Sequence, residues 1–156
     1  MKREGKTAFG VTARLTRSDV QTYDKQIVSP LYKKSEVRDN YKELVMRFRG
    51  DYDIIFRAYN EGIAYRFVAH SRGSLVVEDD QAVFNFADDM DAFVPYVQSE
   101  ETYDAQFVNS FESDYTKTRI SKWERGRPAF APILFKSISG QSVVITEVVL
   151  IDYLGM

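Results

Sequence analysis

Glu147 closes an apolar run, Val143-Val144-Ile145-Thr146, and is followed at once by Val148-Val149-Leu150-Ile151. A carboxylate inside such a run costs free energy unless it finds a partner or a metal. Three readings stay open for it: an outward-alternating side chain, a salt bridge to a nearby arginine, or a metal ligand. Trp123 sits in Lys122-Trp123-Glu124-Arg125-Gly126-Arg127. An exposed indole can stack on a sugar ring. With Arg119, Lys122, Arg125 and Arg127 around it, stacking on a nucleobase must also be weighed. The plainer reading is a Trp partly buried at a sheet edge. His70 is the sole histidine, so a Ser-His-Asp triad would have to use it, and no strand-to-helix nucleophile elbow accompanies it. A surface position just past a strand end suits it better. Asp88-Asp89-Met90-Asp91 is carboxylate-rich enough for a hard cation, yet it lacks the DxDxDG spacing and distal Glu of an EF-hand.

Composition narrows the chemistry further. With no cysteine and one histidine, neither a disulfide nor a zinc site of thiolates or imidazoles can form. The formal net charge is −2, which gives no global field for nucleic acid. Charge is unevenly placed: residues 1–50 hold 12 basic and 6 acidic groups, residues 51–114 hold 3 and 14, and residues 115–156 hold 6 and 3. Solvated loops of mixed sign, mutual neutralisation, and a face for a partner domain all fit that pattern. No run of about 18 apolar residues is present, so no membrane-spanning helix is expected. The first residues, Met1-Lys2-Arg3-Glu4-Gly5-Lys6, lack the apolar stretch of a signal peptide.

The elements that must position these residues read as strands. Aromatic residues make up 14% of the 156-residue chain, and aromatic side chains suit a pleated, half-buried surface. Leu44, Met46 and Phe48 alternate with Arg47 and Arg49. After Gly50-Asp51, Ile54 and Phe56 alternate with Ile55 and Arg57, and after Asn60-Glu61-Gly62 come Ile63, Tyr65 and Phe67. Period-two runs broken by Gly, Asp and Asn predict antiparallel hairpins, here a meander over residues 41–69. Leu44, Met46, Phe48, Ile54, Phe56, Ile63, Tyr65 and Phe67 are its expected core. Further strands are predicted at Phe9–Leu15, Leu75–Val77, Ala82–Phe86, Phe130–Phe135 and Val143–Ile145, the last two joined at Ser139-Gly140. Residues 87–128 give no clear pattern, and Glu147–Tyr153 fits a helical turn or a strand. Many short strands at regular spacing predict one all-β domain over residues 1–156, an antiparallel β-sandwich.

Two stretches resemble glycoside hydrolase family 97, the α-glucosidase and α-galactosidase family common in Bacteroidetes. Tyr41-Lys42-Glu43-Leu44 leading into Phe56-Arg57-Ala58-Tyr59-Asn60-Glu61-Gly62-Ile63-Ala64-Tyr65-Arg66-Phe67 is similar to the family's hairpin. Val144-Ile145-Thr146-Glu147, with Leu150 and Asp152-Tyr153-Leu154-Gly155-Met156, is similar to a second family segment. Departures are Asn60-Glu61 for the family's Asp-Asp, Val148-Val149 for Ala-Asp, and Leu154 for proline.

The resemblance implies part of an N-terminal domain, an incomplete galactose-mutarotase-like super-sandwich, followed in the parent by a catalytic (β/α)₈ barrel and a small β domain. The family's catalytic carboxylates lie in or after the barrel, so this segment is expected to be inactive alone. What it implies for this segment is docking on the barrel and one calcium-binding carboxylate, which by motif is Glu147. Members of the inverting type use calcium near the sugar. Tight calcium binding by the segment itself is not expected. A periplasmic or secreted location follows by resemblance, with an oligosaccharide substrate reached through the parent and no nucleic-acid or membrane-spanning role. The alternative is a free-standing carbohydrate-binding or surface-interaction module using Trp123. A coding sequence continuing into a barrel after Met156 favours the first reading, and a stop there favours the second.

Overall fold

The computed structural model describes residues 2–3, 9–31, 33–70, 75–97 and 113–148. The chain divides into two compact units, residues 1–79 and 80–156. Among the described residues both are built of antiparallel strands, with one short 3₁₀ turn, so the fold class is the all-β, antiparallel one that the alternation predicts. Among the described residues no helix is long and apolar enough to cross a membrane.

In the first unit, β2 (Leu15–Val28), β3 (Glu36–Phe48), β4 (Tyr52–Ala58) and β5 (Ile63–Ala69) form a four-stranded meander in chain order. A short β1 (Lys2–Arg3) pairs with β6 (Val77–Asp79). The predicted hairpins are present: Leu44 faces Phe56, which faces Tyr65, and Met46 faces Ile54, which faces Phe67. The β3–β4 turn needs Gly50 (φ 107) and Asp51 (φ 61) in the left-handed region. Glycine enters it without a Cβ clash, and aspartate is among the few other residues that tolerate it.

The expected core of this sheet is corrected. None of the eight residues is buried. Six are half-buried, while Ile63 is 77% and Tyr65 40% exposed. The buried residues of β3 and β4 are instead Tyr41, Glu43, Tyr52 and Asp53. Alternation sorts side chains between two faces, but it does not say how completely either face is covered. Tyr41, Glu43 and Asp53 lie opposite the apolar set, enclosed by long neighbours. Tyr52 lies on the apolar face, stacked between Phe9 (4.5 Å) and Phe48 (5.0 Å).

Three more local expectations change. Residues 9–12 form a turn, with Gly10 at φ 91, and not a strand; Phe9 is buried there against Tyr52. No strand forms at residues 82–86. All of β2 after Leu15, and the first five residues of β3, were not predicted. The reason is chemical: β2 is almost wholly exposed, so it carries no apolar stripe. Its pairing with β3 is reinforced by the Arg38–Asp24 fork (2.8 and 2.6 Å), a Gln26–Glu36 hydrogen bond (3.3 Å) and the stacked Tyr23 and Tyr41 rings (4.9 Å).

The second unit is a sheet of β7 (Asp91–Val94), β8 (Thr116–Arg119), β9 (Ile133–Lys136) and β10 (Ser142–Ile145), in the order β10-β9-β7-β8. Its central strand and β8 come from the stretch that gave no clear pattern. Met90, Ala92, Val94 and Tyr96 recur every second residue along β7 and its flanks, and with Phe135 of β9 they form the buried core. β9 begins at Ile133, after Pro132, which has no N–H for a sheet ladder. The predicted β9–β10 hairpin is present, closed by the Ser137 N–H donating to the Gln141 carbonyl (2.8 Å), with Gly140 at φ 88.

Candidate functional site

The second unit carries both residues singled out for chemistry. Trp123 follows a 3₁₀ turn, Ile120–Lys122, set directly after β8. Asp89 fixes that turn by accepting hydrogen bonds from the Ser121 N–H (2.8 Å) and hydroxyl (2.9 Å). These bonds hold the Asp89 carboxyl below its ordinary pKa. Asp91 pairs with Lys117 (3.0 Å) and Arg119 (3.2 Å), the lysine contributing most to the lowering of its pKa. The acidic run therefore has structural partners. Among the described residues no three His, Cys, Asp or Glu side chains gather as a metal site.

The half-buried indole of Trp123 lies edge-on to Tyr96 (5.7 Å) and nearly parallel to Phe135 (6.4 Å). The Tyr96 hydroxyl accepts the Glu124 N–H (3.1 Å). Arg127 lies over the Tyr96 ring (4.8 Å), donates to the Val97 carbonyl (3.0 Å) and pairs with Glu124 (2.9 Å). Two of the basic residues around Trp123 thus have partners: Arg127 does, and Arg119 bonds Asp91 and the Asp89 carbonyl (2.7 Å).

Trp123, Phe135 and Ile145 line an open groove of about 340 Å³ with Phe84, Phe86 and Ile133. Its lining side chains are all apolar except for the indole N–H of Trp123. Glu147, half-buried, lies two residues beyond Ile145, the last residue of β10. Leu150 and Asp152–Met156, the rest of the resembling segment, lie outside the described residues.

The first unit holds a polar constellation that sequence reasoning missed. Arg57 pairs with the buried Glu43 (2.8 Å) and lies over the Tyr41 ring (4.6 Å), with Tyr23 and Tyr59 flanking Tyr41 at 4.9 and 5.1 Å. Burial works against the Arg57 charge, but Glu43, Tyr41 and Tyr59 more than offset it, so its pKa stands above the ordinary value. Burial pushes the Tyr41 hydroxyl up against the opposing Arg57 charge. The signal was available in the hairpin register, because Glu43 and Arg57 face each other directly across β3 and β4. His70 lies just past β5, exposed as expected, with Nε2 2.9 Å from the buried Asp53 carboxylate.

Comparison with known proteins agrees with the resemblance. The family described as Glycosyl-hydrolase 97 N-terminal matches residues 1–156. A protein of Bacteroides thetaiotaomicron named retaining alpha-galactosidase is 40% identical over 152 residues. That match covers 96% of this chain and 23% of the relative. The chain thus spans less than a quarter of the relative it matches. The match along the whole chain shows that it belongs to the N-terminal domain family of glycosyl hydrolase 97.

Proposed function

We propose that this chain is the non-catalytic leading domain of an exported family 97 α-glycosidase. In this reading it docks on a catalytic barrel and lends Glu147 to a calcium ion at the barrel's sugar site. The observation that carries the reading is the place of Glu147: a half-buried carboxylate just past Ile145, which lines an open apolar groove. One carboxylate supplies at most two of the six to eight oxygens calcium prefers. Glu147 therefore fits one corner of a shared site and not a complete one. When bound, calcium supplies positive charge that stabilises developing negative charge without a proton transfer.

The relative's name supports an α-galactoside as substrate. That name also specifies retention, whereas the calcium arrangement is what the resemblance implies for inverting members. The Glu147 assignment accordingly stands on its motif and its placement. Glycosidic hydrolysis needs two carboxylates bracketing the bond, and the second unit commits Asp89 and Asp91 to structural partners. The carbohydrate-module alternative gains little from the groove, whose one polar side-chain group is poor provision for a sugar's hydroxyls. The test compares two proteins on nitrophenyl α-galactoside and α-glucoside. The 156-residue chain should show no turnover and the full-length protein should show it. Turnover by the short chain that survives repurification would overturn the reading.

A further inference from the structure

We infer that the first unit pairs with a second copy of this chain along the outer edge of β2, joining two four-stranded sheets about a two-fold axis at Thr22. Among the described residues β2 is an edge strand of its sheet, and its 14 residues are almost wholly exposed, Val20 at 67% and Val28 at 75%. An uncovered edge presents a row of unpaired N–H and C=O groups to any strand that fits it. The Ser29 N–H donates to the Ser35 carbonyl (2.9 Å), and the register runs unbroken from there to Arg17 opposite Arg47. Odd-numbered residues therefore turn their backbone groups towards β3, and Ser18, Val20, Thr22, Asp24 and Gln26 turn theirs outwards.

Two features select a second copy as the partner. β4 covers β3 only as far as Lys42 opposite Ala58, so residues 23–28 and 36–41 run on as a ribbon of two strands. Such a ribbon is marginal in water without a further strand. An axis at Thr22 lays residues 23–28 of each copy against residues 16–21 of the other, where the sheet is four strands wide. Each body then braces the other's ribbon. Charge fits the same register. Asp19 of each copy faces Lys25 of the other, and no like charges stand directly opposite. The Asp19 carboxylate meets Arg17 (2.8 Å) and Arg47 (3.0 Å) of its own copy and keeps lone pairs for a third donor. Lys25 lies over the Tyr23 ring at 5.6 Å, and among the described residues it has no carboxylate partner. An axis at Gln21 would instead set Arg17 against Lys25, and one at Asp24 would set that carboxylate against itself.

The test uses the full-length protein, whose residues 1–156 contain no cysteine. Sedimentation should show a dimer that dissociates on dilution. Facing residues of a hydrogen-bonded pair stand about 5.5 Å apart at Cα, within disulfide reach. Oxidation of Thr22→Cys should therefore join the Thr22→Cys peptides of two copies. The yield should be at least about tenfold above that of Val20→Cys, which faces Asp24 of the other copy, out of disulfide reach. Lys25→Asp should weaken dimerisation by at least about tenfold, because it sets like charges face to face. Thr22→Pro should abolish the dimer and leave the circular dichroism spectrum unchanged, since the N–H it removes points away from β3. A monomer at every concentration would overturn the inference. So would a dimer that survives Thr22→Pro and gives no Thr22→Cys link, which would use another surface. Slow maleimide labelling of a monomeric Thr22→Cys protein would seat another part of the same chain on β2, and would overturn it too.

Discussion

The two units solve the same problem, an antiparallel sheet in water, with different materials. The first unit extends β2 and β3 into a long ribbon whose side chains are largely wet. Its enclosed residues include an ion pair and an aromatic stack, Glu43–Arg57 over Tyr41. The second uses four strands of four residues each, and buries every second side chain of β7 against Phe135. Ribbon strands held by exposed pairs tolerate loss of any one pair, because each contributes little. A small apolar core has no such redundancy, since each side chain fills space that nothing else fills.

The largest expected effect lies in that core. Phe135→Ala should destabilise the second unit by about 3–5 kcal/mol, read by denaturant unfolding. Phe56→Ala, on the half-buried face of the first sheet, should cost roughly half as much, because about half of the transfer and cavity contributions are at stake. Equal losses would erase the contrast between the units.

Next comes the enclosed ion pair. Arg57→Ala leaves the Glu43 carboxylate without its guanidinium. After discounting for the partial exposure of Arg57, the expected cost is about 1–2 kcal/mol. A double-mutant cycle with Glu43→Gln should return a coupling of the same order. An absence of coupling would reduce the constellation to packing alone.

The smallest effects are the exposed carboxylates. Asp24, held by Arg38, and Asp89 and Asp91, held by Ser121 and Lys117, all have folded pKa values lowered from the ordinary one. Groups of this sign contribute stability that is fully present above the unfolded carboxylate pKa of about 3.9. That stability is lost as pH falls through the folded values. Stability should therefore be flat from neutrality down to about pH 5 and fall below about pH 4. Asp89→Asn should flatten that acid limb, and Arg38→Ala should flatten it as well while lowering neutral-pH stability only slightly, because the pair is exposed.

The contrast also explains what the sequence made legible. The 41–69 meander was readable because its apolar residues alternate between turn residues that permit left-handed φ. β2 was not, since Thr16, Arg17, Ser18 and Asp19 leave no apolar face, and its strand character comes from cross-strand partners distant in sequence. β7 was hidden for the opposite reason. Met90, Ala92, Val94 and Tyr96 do alternate, but acidic residues before them and Pro95 within them masked the period. Trp123 was readable as partly buried at a sheet. Its groove was not, because Phe84, Ala131 and Ile145 converge only through tertiary structure. Glu147 stood out by its apolar flanks alone.

In the proposed reading Glu147 would complete a calcium site whose other ligands lie outside this domain. Calorimetric titration of calcium into metal-free full-length protein, wild type against Glu147→Gln, tests it most directly. Affinity should be weaker by about tenfold or more in the variant, the scale on which even changes to groups behind the ligands act at metal sites. Its unfolding temperature without calcium should be unchanged. An unchanged calcium affinity would contradict that role and leave Glu147 a polar residue just past the end of a strand.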